Sequence, residues 1–171
     1  CQQGYYVNRL GQQIDIKSDL EQAIDNTKLY RPTDFIDIEW PQCVASQPSI
    51  EVKPETTLAA ARRLVELGHK VLCLNFASAK NAGGGFLNGS QAQEESLARS
   101  SGLYPSLMSQ EEMYFYNRHQ KSCFYSDYMI YSPAIPVFRA DNGALLDNYY
   151  VASFITAPAV NAGVIRQREP E

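Results

Sequence analysis

Residues 50–76, IEVKPETTLAAARRLVELGHKVLCLNF, carry the pattern that decides the fold class. Residues 50–52 have the character of a short strand, and Pro54 suits the opening of the helix that follows. Apolar residues then recur on one helical face until Gly68 ends the helix; they are Leu58, Ala61, Leu64, Val65 and Leu67. Residues 70–76 form an almost unbroken apolar run, which is typical of a strand covered on both faces. The segment therefore predicts a β-α-β unit with parallel strands, and the fold class is α/β.

The segment after this strand, residues 78–92, is called the glycine loop below. Gly83, Gly84 and Gly85 have no Cβ, so their backbone can take positive φ and approach a ligand until amide N–H groups touch it. Ligands of open α/β sheets bind beyond the carboxyl ends of the strands, which is where this loop lies. A flexible surface loop could have the same composition. The position directly after a buried strand favours a binding loop.

Two adjacent carboxylates, Glu94 and Glu95, follow the glycine loop. Ser90 and Gln93 have the spacing of a capping box, which predicts a helix that begins near Gln91. The glutamates then lie in its first turn and a half, where the helix dipole favours carboxylates, and they could be no more than an ordinary helix start. Their place beside the glycine loop instead favours a pair that divides roles. One carboxyl would be ionised and bind hydroxyls while the other carries a proton, as glycosidic chemistry needs.

Other catalytic and binding signatures do not occur in the sequence. No Gly-Lys-Ser/Thr run of a nucleotide P-loop is present, and no Gly-x-Ser-x-Gly elbow of a serine hydrolase. The spacing of Gly83, Gly85 and Gly89 does not fit a dinucleotide fingerprint. His69 and His119 are single and far apart, so we expect them to be surface or cap residues and no metal site to form.

The remainder of the chain predicts short elements on either side of this region. They are a hairpin around Gly11, helices over 19–29 and 106–119, and strands at about 127–132 and 150–156. Pro133 and Pro136 place the stretch between the last two strands in a loop or at a sheet edge. The tripeptide Gln-Glu-Glu recurs at 110–112 with no glycines ahead of it. We therefore expect Glu111 and Glu112 to be solvent-facing charges at a helix start.

The composition is that of a globular chain about one domain long. Of its 171 residues 44% are hydrophobic and 20% charged, which excludes a disordered tail, a collagen-like fibre and a coiled coil. A formal charge of −4, with no basic run longer than Arg62-Arg63, argues against direct nucleic-acid binding. No apolar run is long enough for a membrane span, and the cysteines at 1, 43, 73 and 123 are too sparse for a disulfide framework or a zinc site. We expect a cytoplasmic protein without nucleic-acid or membrane partners, with free thiols and with Cys73 in the core.

A triple glycine separated by seven residues from Gln93-Glu94-Glu95 is similar to the signature of the bacterial-type poly(ADP-ribose) glycohydrolases, a branch of the macrodomain superfamily. The resemblance extends over about residues 50–165 and implies a macrodomain-like mixed sheet flanked by helices. Residues 1–49 match loosely and are expected to form a helical or irregular segment packed on the catalytic portion, residues 50–171. A second glycine-containing loop that the family usually has is missing before Glu171, so we expect this portion to be incomplete, truncated at the C-terminus. Ala82 stands where the family would have proline.

The resemblance implies hydrolysis of the ribose–ribose O-glycosidic bonds of poly(ADP-ribose), with release of ADP-ribose and without a metal or other cofactor. Glu95 would be the acid and base, and Glu94 would hold ribose hydroxyls. Asn81 would contact the distal ribose, the three glycines would lie against that sugar and the adjacent phosphate, and Gln93 is grouped with these substrate-binding residues. The partner would be poly(ADP-ribose) or an ADP-ribosylated protein. A non-catalytic ADP-ribose-binding module is the alternative, and removal of single ADP-ribose groups is a third possibility.

Overall fold

The computed structural model of the chain describes residues 3–36, 39, 48–160 and 162–168. In chain order its elements are β1 (Tyr5–Val7), β2 (Gln13–Asp15), α1 (Lys17–Asp25), β3 (Lys28–Tyr30), α2 (Thr57–Glu66), β4 (Leu72–Ala77), α3 (Gln93–Ser100), α4 (Leu103–Met108), α5 (Glu111–His119), β5 (Met129–Arg139), β6 (Leu145–Pro158) and α6 (Ala162–Arg168). Short 3₁₀ helices occupy Pro32–Phe35 and Phe86–Asn88. Across these described ranges, none of the helices has the length and apolar character needed to cross a membrane.

The central sheet has four strands in the order β3-β5-β6-β4. β5 and β6 form a long antiparallel hairpin, β3 pairs antiparallel with β5, and β4 pairs parallel with β6. In the parallel pair Cys73 lies opposite Phe154, and Asn75 lies opposite Thr156. The carboxyl ends of β4 and β6 therefore lie side by side, at the end of the sheet where ligands of this fold class bind. The expected α/β class with a mixed sheet is confirmed.

One face of the sheet packs against helices to form the main core. Leu58 of α2, Leu97 of α3 and Tyr114 of α5 are almost completely buried together with Phe154 of β6. Cys73 belongs to the same cluster, and burial raises the pKa of its thiol to about 11. The thiol is therefore neutral and acts as a small apolar side chain, as its place in the apolar run predicted.

The strand expected at residues 50–52 does not form. Ile50 and Val52 are 86% and 91% exposed, and the parallel partner of β4 is β6 instead. The predicted β-α-β unit is therefore wrong, although its helix and its second strand are present. Residues of high strand propensity adopt a strand only where a neighbouring strand can pair with them, and Pro54 and the helix behind it leave these three residues outside the sheet.

β4 is an edge strand whose side chains alternate between the core and solvent. Cys73 and Ala77 are buried, whereas Leu72, Leu74 and Phe76 are between 46% and 61% exposed. The expectation of a strand covered on both faces is therefore wrong for the part of the chain that the structure describes. An apolar run shows that both sets of side chains could be buried, but the packing of other elements decides which set is covered.

β5 runs through both prolines that were expected to interrupt it. Pro133 and Pro136 lie within the strand, and the pairing with β6 shifts register between Ser132 and Ile135. Ala134, in the middle of this irregularity, has a φ of +47°. A bulge leaves residues out of the hydrogen-bonding ladder, so a proline there removes no ladder bond. The bulge accounts for Pro133, whereas Pro136 lies in register opposite Val151. The prediction of a loop or sheet edge was wrong for both prolines.

Other boundaries differ by smaller amounts. The hairpin around Gly11 is confirmed, whereas the helix expected over 19–29 ends at Asp25 and leaves residues 28–30 to pair with β5. The helix expected over 106–119 is two helices, because the chain turns where the Ser109 hydroxyl donates to the Ser106 carbonyl at 2.7 Å.

The described part of the N-terminal segment contributes β3 to the central sheet, and α1 packs beside β5. The division of the chain at residue 49 stays a prediction. The free thiols expected at Cys1 and Cys43 lie outside the described residues.

Truncating a side chain should cost more stability on the buried face of the sheet than on its exposed face. Phe154→Ala should lower the free energy of unfolding by about 3–5 kcal/mol, because it removes a fully buried ring and leaves a cavity. Leu72→Ala, on the exposed face of β4, is the matched control and should cost less than about 1 kcal/mol. Urea denaturation measures both, and equal losses would contradict this assignment of faces.

Candidate active site

The carboxyl ends of β4 and β6 continue into the two walls of a cleft. The Ala159 N–H donates to the Ala77 carbonyl at 2.9 Å, so the chain after β6 stays beside β4. The glycine loop leaves β4 and returns as α3, which places Glu94 and Glu95 in the first turn of that helix. Both glutamates line the cleft, whose volume is about 530 Å³, opposite Ala159 and the first turn of α6. The structure therefore brings the expected carboxylate pair to the ligand end of the sheet.

A larger cavity, about 730 Å³, lies beside the C-terminal half of α3, the start of α4 and the turn between β5 and β6. Its walls include Phe86, Arg99, Tyr104, Phe138 and Arg139 but neither glutamate. The carboxylate chemistry therefore belongs to the smaller cleft.

The capping box expected at the start of α3 does not form. The helix begins at Gln93 rather than near Gln91, and Ala92 at its N-cap makes no side-chain hydrogen bond. The Ser90 N–H instead donates to the Gly85 carbonyl at 3.2 Å and closes the glycine loop. The spacing of Ser90 and Gln93 was correct for a capping box, but Gln93 has partners elsewhere.

Gln93 joins α3 to the free edge of β4. Its Oε1 accepts the Phe76 N–H at 2.9 Å, and its Nε2 donates to the Leu74 carbonyl at 2.7 Å and to Thr57 Oγ1 at 3.1 Å. The amide thus bonds two backbone groups of the edge strand much as a neighbouring strand would. The side chain positions the two glutamates that follow it, and the contact with substrate that was expected of Gln93 stays a prediction.

Glu94 is a buried carboxyl held by backbone amides. It is 3% exposed, its Oε2 accepts the Ser78 N–H at 2.6 Å, and its Oε1 accepts the Gly83 N–H at 3.1 Å. The first residue of the glycine loop and the glycine turn within it are therefore tied to one side chain. Ser78 was not identified from the sequence, although a polar residue directly after an apolar strand was the available signal.

The environment of Glu94 raises its pKa to about 7. Burial is the largest cause, because it disfavours the charged form, and the negative charge of Glu95 adds to it. Hydrogen bonds from Ser78, from the Asn75 side chain and from Gly83 act in the opposite direction and stabilise the carboxylate. Glu94 is consequently divided between its neutral and ionised forms near neutral pH.

The glycines allow the backbone to lie directly against these carboxyls. Gly83 and Gly84 have φ values of +68° and +59°, in the left-handed region. A Cβ on Gly84 would overlap Glu95 Oε1 and lie 3.1 Å from Glu94 Oε2. A Cβ on Gly85 would overlap the hydroxyl of Ser90. Any larger residue would push the loop away from the glutamates.

The three glycine N–H groups all have protein partners. Gly83 donates to Glu94, Gly84 donates to the Asn81 carbonyl at 3.0 Å, and Gly85 donates to Glu95 Oε1 at 3.0 Å. The expectation that these amides are directed at a ligand is therefore wrong. Gly83 is buried and Gly84 and Gly85 are partly exposed, and the N–H groups of Gly83 and Gly85 hold the two carboxyls.

Asn81 lies at the outer turn of the glycine loop. Its side chain is exposed, and its N–H donates to the Ser78 hydroxyl at 3.2 Å. The next residue back, Lys80, accepts a bond from Arg118 of α5 at 2.8 Å through its carbonyl. The loop is thus anchored to α5, and the contact of Asn81 with a ribose stays a prediction.

The second Gln-Glu-Glu tripeptide, residues 110–112, lies in a different setting. Glu111 and Glu112 are exposed in the first turn of α5, as expected. Glu112, however, also accepts two bonds from Arg31 at 2.7 and 2.6 Å and one from the Tyr128 hydroxyl at 3.1 Å. Arg31 is the main reason that the pKa of Glu112 is lowered. Glu111 is therefore the better control for the site.

No cluster that could hold a metal ion was found among the described residues, where three or more His, Cys, Asp or Glu side chains would have to converge. His119 bonds through Nδ1 to the Phe115 carbonyl at 2.8 Å, at the end of α5.

The raised pKa of Glu94 can be measured directly. We expect ¹³C NMR of the Glu94 carboxyl to give a titration midpoint near pH 7. Glu95→Gln should lower this midpoint because it removes the adjacent negative charge, and Glu111→Gln should leave it unchanged. A midpoint near 4.5, the ordinary value, would contradict the burial of this carboxyl.

The same pKa predicts how stability changes with pH. Because the folded pKa is raised, the contribution of protonated Glu94 is complete below about pH 4.5 and is lost as the pH rises to about 7. The free energy of unfolding should fall over this range by about 1.4 kcal/mol for each pH unit that the midpoint is raised. In Glu94→Gln this part of the pH dependence should disappear.

Glycine substitutions test the contact between the loop and the carboxyls. Gly84→Ala should destabilise the protein more than Gly89→Ala, because only the first also displaces Glu95 Oε1. Gly89 is the matched control, since it too has positive φ, at +83°, but a methyl group added there would meet nothing within 4 Å. Equal losses in thermal denaturation, each about 1 kcal/mol for the backbone alone, would show that the overlap has no consequence.

The sequence of this chain matches the model of a known protein family. The model of the family described as microbial-type PARG, catalytic domain, matches residues 1–140. PARG is poly(ADP-ribose) glycohydrolase. A search of the curated proteins gives no significant match.

Several solved structures are similar to this chain. The poly(ADP-ribose) glycohydrolase of Thermomonospora curvata is 46% identical, with a TM-score of 0.88 over 96% of this chain and 61% of that one. The same enzyme bound to the inhibitor ADP-HPD is 45% identical, with a TM-score of 0.86 over 96% and 60% of the two chains. That of Deinococcus radiodurans in complex with ADP-ribose is 44% identical, with a TM-score of 0.77 over 88% and 62%.

The chain thus spans about three fifths of the length of each of these structures. Because the family model covers residues 1–140 of 171, the chain belongs to the microbial-type PARG catalytic domain family.

Proposed function

We propose that the cleft hydrolyses the ribose–ribose O-glycosidic bonds of poly(ADP-ribose) and releases ADP-ribose. The observation that carries this proposal is the pair of adjacent, buried carboxyls, Glu94 and Glu95, held by the backbone of a glycine loop at the ligand end of the sheet. Two carboxyls in different environments are what acid–base cleavage of a glycosidic bond requires. The solved relatives from the two bacteria, bound to ADP-HPD and to ADP-ribose, support the choice of sugar.

Glu95 is assigned the role of general acid and base. It is 9% exposed, against 3% for Glu94, and lines the cleft with one oxygen held by Gly85. Its proton passes to the departing ribose oxygen as the bond from that oxygen to the anomeric carbon breaks. The resulting carboxylate then takes a proton from water, whose oxygen forms the new bond to the anomeric carbon. Glu95 is thereby returned to its starting form.

Glu94 is assigned to the hydroxyls of the same ribose. Its carboxyl is fixed by two backbone N–H groups, so it can present one geometry to a sugar. Its raised pKa makes Glu94 partly neutral near pH 7, which differs from the expectation that the hydroxyl-binding carboxyl is ionised.

The remaining contacts are assigned to the glycine loop. The surface of Gly83, Gly84 and Gly85, which has no side chains, would receive the distal ribose and the adjacent phosphate, and the exposed side chain of Asn81 would bond a ribose hydroxyl. The partner would be the polymer itself or an ADP-ribosylated protein, without direct nucleic-acid or membrane binding. The cytoplasmic location expected from the sequence also stays a prediction.

Glu95→Gln separates a hydrolase from a non-catalytic ADP-ribose-binding module. We expect the substitution to reduce turnover of labelled poly(ADP-ribose) at least about 100-fold, the scale for loss of a positioned general acid, with affinity for ADP-ribose within about tenfold. Release of ADP-ribose measures the first quantity and calorimetric titration the second.

Glu111→Gln is the control for this experiment, since it makes the same chemical change in the other Gln-Glu-Glu tripeptide, outside the cleft. It should leave turnover unchanged. Full activity of the Glu95 variant would end the assignment, and binding of ADP-ribose with no turnover by the unaltered chain would favour the binding module.

A further inference from the structure

Two arginines line the larger cavity, which has a volume of about 730 Å³. Arg99 of α3 and Arg139 of β5 form no ion pair with an acidic side chain within the parts of the chain that the structure describes. Arg99 Nη1 donates to the Ser90 carbonyl at 2.7 Å, and Arg139 Nη1 donates to the Gly143 carbonyl at 2.8 Å. A guanidinium has five N–H donors, so both side chains keep donors for a ligand.

The charge of this cavity favours an anion. Asp141 is its one acidic lining residue in the described part of the chain, and its Oδ2 accepts the hydroxyl of Thr56 at 2.6 Å. Two arginines and one aspartate leave an excess of one positive charge, in a chain whose formal charge is −4. Guanidinium groups bind phosphate oxygens through paired hydrogen bonds. The cavity therefore suits a ligand that carries phosphate.

An aromatic pair stands between this cavity and the glycine loop. Phe86 and Tyr104 are both half-buried, line the cavity and meet edge to face, with ring centroids 4.8 Å apart. A Cβ on Gly83 would lie 2.9 Å from the first ring and 3.2 Å from the second, so the pair packs directly against the loop. Aromatic rings offer a stacking surface to any nucleobase. Arginines and rings together are the groups that recognise a nucleotide.

A groove of about 450 Å³ lies between this cavity and the cleft that holds the carboxyls. It shares Ala92 with the cleft, and it shares Ser96 and Arg99 with the larger cavity. Residues 92, 96 and 99 follow one side of α3 over about 10 Å, because they are spaced by four and then three positions. Glu55, an acidic residue of the groove, is bonded by Arg63 at 3.0 Å. A path along α3 therefore leads from the glutamates to the arginines.

The chemistry of the substrate requires a nucleotide on the far side of the cleaved bond. In poly(ADP-ribose) the departing oxygen belongs to the adenosine ribose of the neighbouring repeat. The adenine and the diphosphate of that repeat are attached to the same ribose, so both must lie close to the cleft when the bond is cleaved. A phosphate-binding cavity with aromatic walls beside the glycine loop matches this need.

We propose that the larger cavity is a second subsite, which binds the adenosine diphosphate part of the repeat that departs from the cleft. Arg99 and Arg139 bind its diphosphate, and Phe86 and Tyr104 contact its adenine. The identity of this ligand rests on the proposed function, whereas a preference for two repeats over one can be measured without any turnover.

Binding to Glu95→Gln tests the subsite, because this substitution is expected to prevent cleavage during the titration. We expect an oligomer of two ADP-ribose repeats to bind at least about tenfold more tightly than ADP-ribose in calorimetric titration, because only the oligomer reaches the arginines. Adding Arg139→Glu should remove most of this difference. Lys28→Glu makes the same change of charge on β3, at the opposite edge of the sheet from β4, and should leave the difference unchanged.

Arg139→Lys separates charge from structure, since Arg139 also bonds the turn between β5 and β6 through Gly143. It keeps the positive charge and a donor, so it should retain most of the preference for the oligomer. Equal losses in the lysine and glutamate variants would show that the turn is responsible, and would overturn the proposal.

The remaining outcomes distinguish the subsite from the proposed function. Equal affinities for the oligomer and for ADP-ribose, or an equal loss of preference in Lys28→Glu, would overturn the subsite and leave the hydrolysis unaffected. A preference for the oligomer that depends on Arg139, in a chain that without substitutions releases no ADP-ribose, would support the subsite and contradict the hydrolysis instead.

Discussion

Burial of the Glu94 carboxyl is the constraint on which the rest of the site depends. A carboxyl removed from water is strongly disfavoured in its charged form unless hydrogen bonds replace the lost solvent. Here the N–H groups of Ser78 and Gly83 supply that replacement, and the side-chain amide of Asn75 also favours the carboxylate. These donors stand on three consecutive parts of the chain: the end of a strand, the beginning of a loop and the turn within it. Their convergence on one side chain gives the loop its shape.

This convergence requires two features of the backbone. Gly83 and Gly84 must take positive φ, and no Cβ can stand between Gly84 and the carboxyl of Glu95. The helix that carries the carboxyls must also be fixed relative to the strand, which Gln93 does by bonding the free edge of β4. The signature residues of the family therefore act on one another before they act on a ligand. Gly83 and Gly85 bond the two glutamates, while Gln93 bonds the strand edge beside them.

Local patterns predicted the parts of the fold that depend on local contacts. The helix after Pro54, the buried position of Cys73 and the turn at Gly11 all follow from spacing and residue type. The strand at 50–52 and the loop around Pro133 failed because both depend on what pairs with them. A sequence shows that a segment can join a sheet or carry a proline, but the register of a distant strand decides whether it does.

By itself the sequence determined the chemical content of the site: two adjacent carboxyls behind three glycines, and the family that carries them. Only the tertiary structure decided which carboxyl is deeply buried, that the amides of Gly83 and Gly85 are directed at the glutamates, and that Gln93 bonds the strand edge. It also brought Thr156 beside Asn75, 81 residues apart in sequence. The reason is that burial and hydrogen bonding depend on distances across the parallel pairing of β4 and β6, which residue spacing along the chain does not encode.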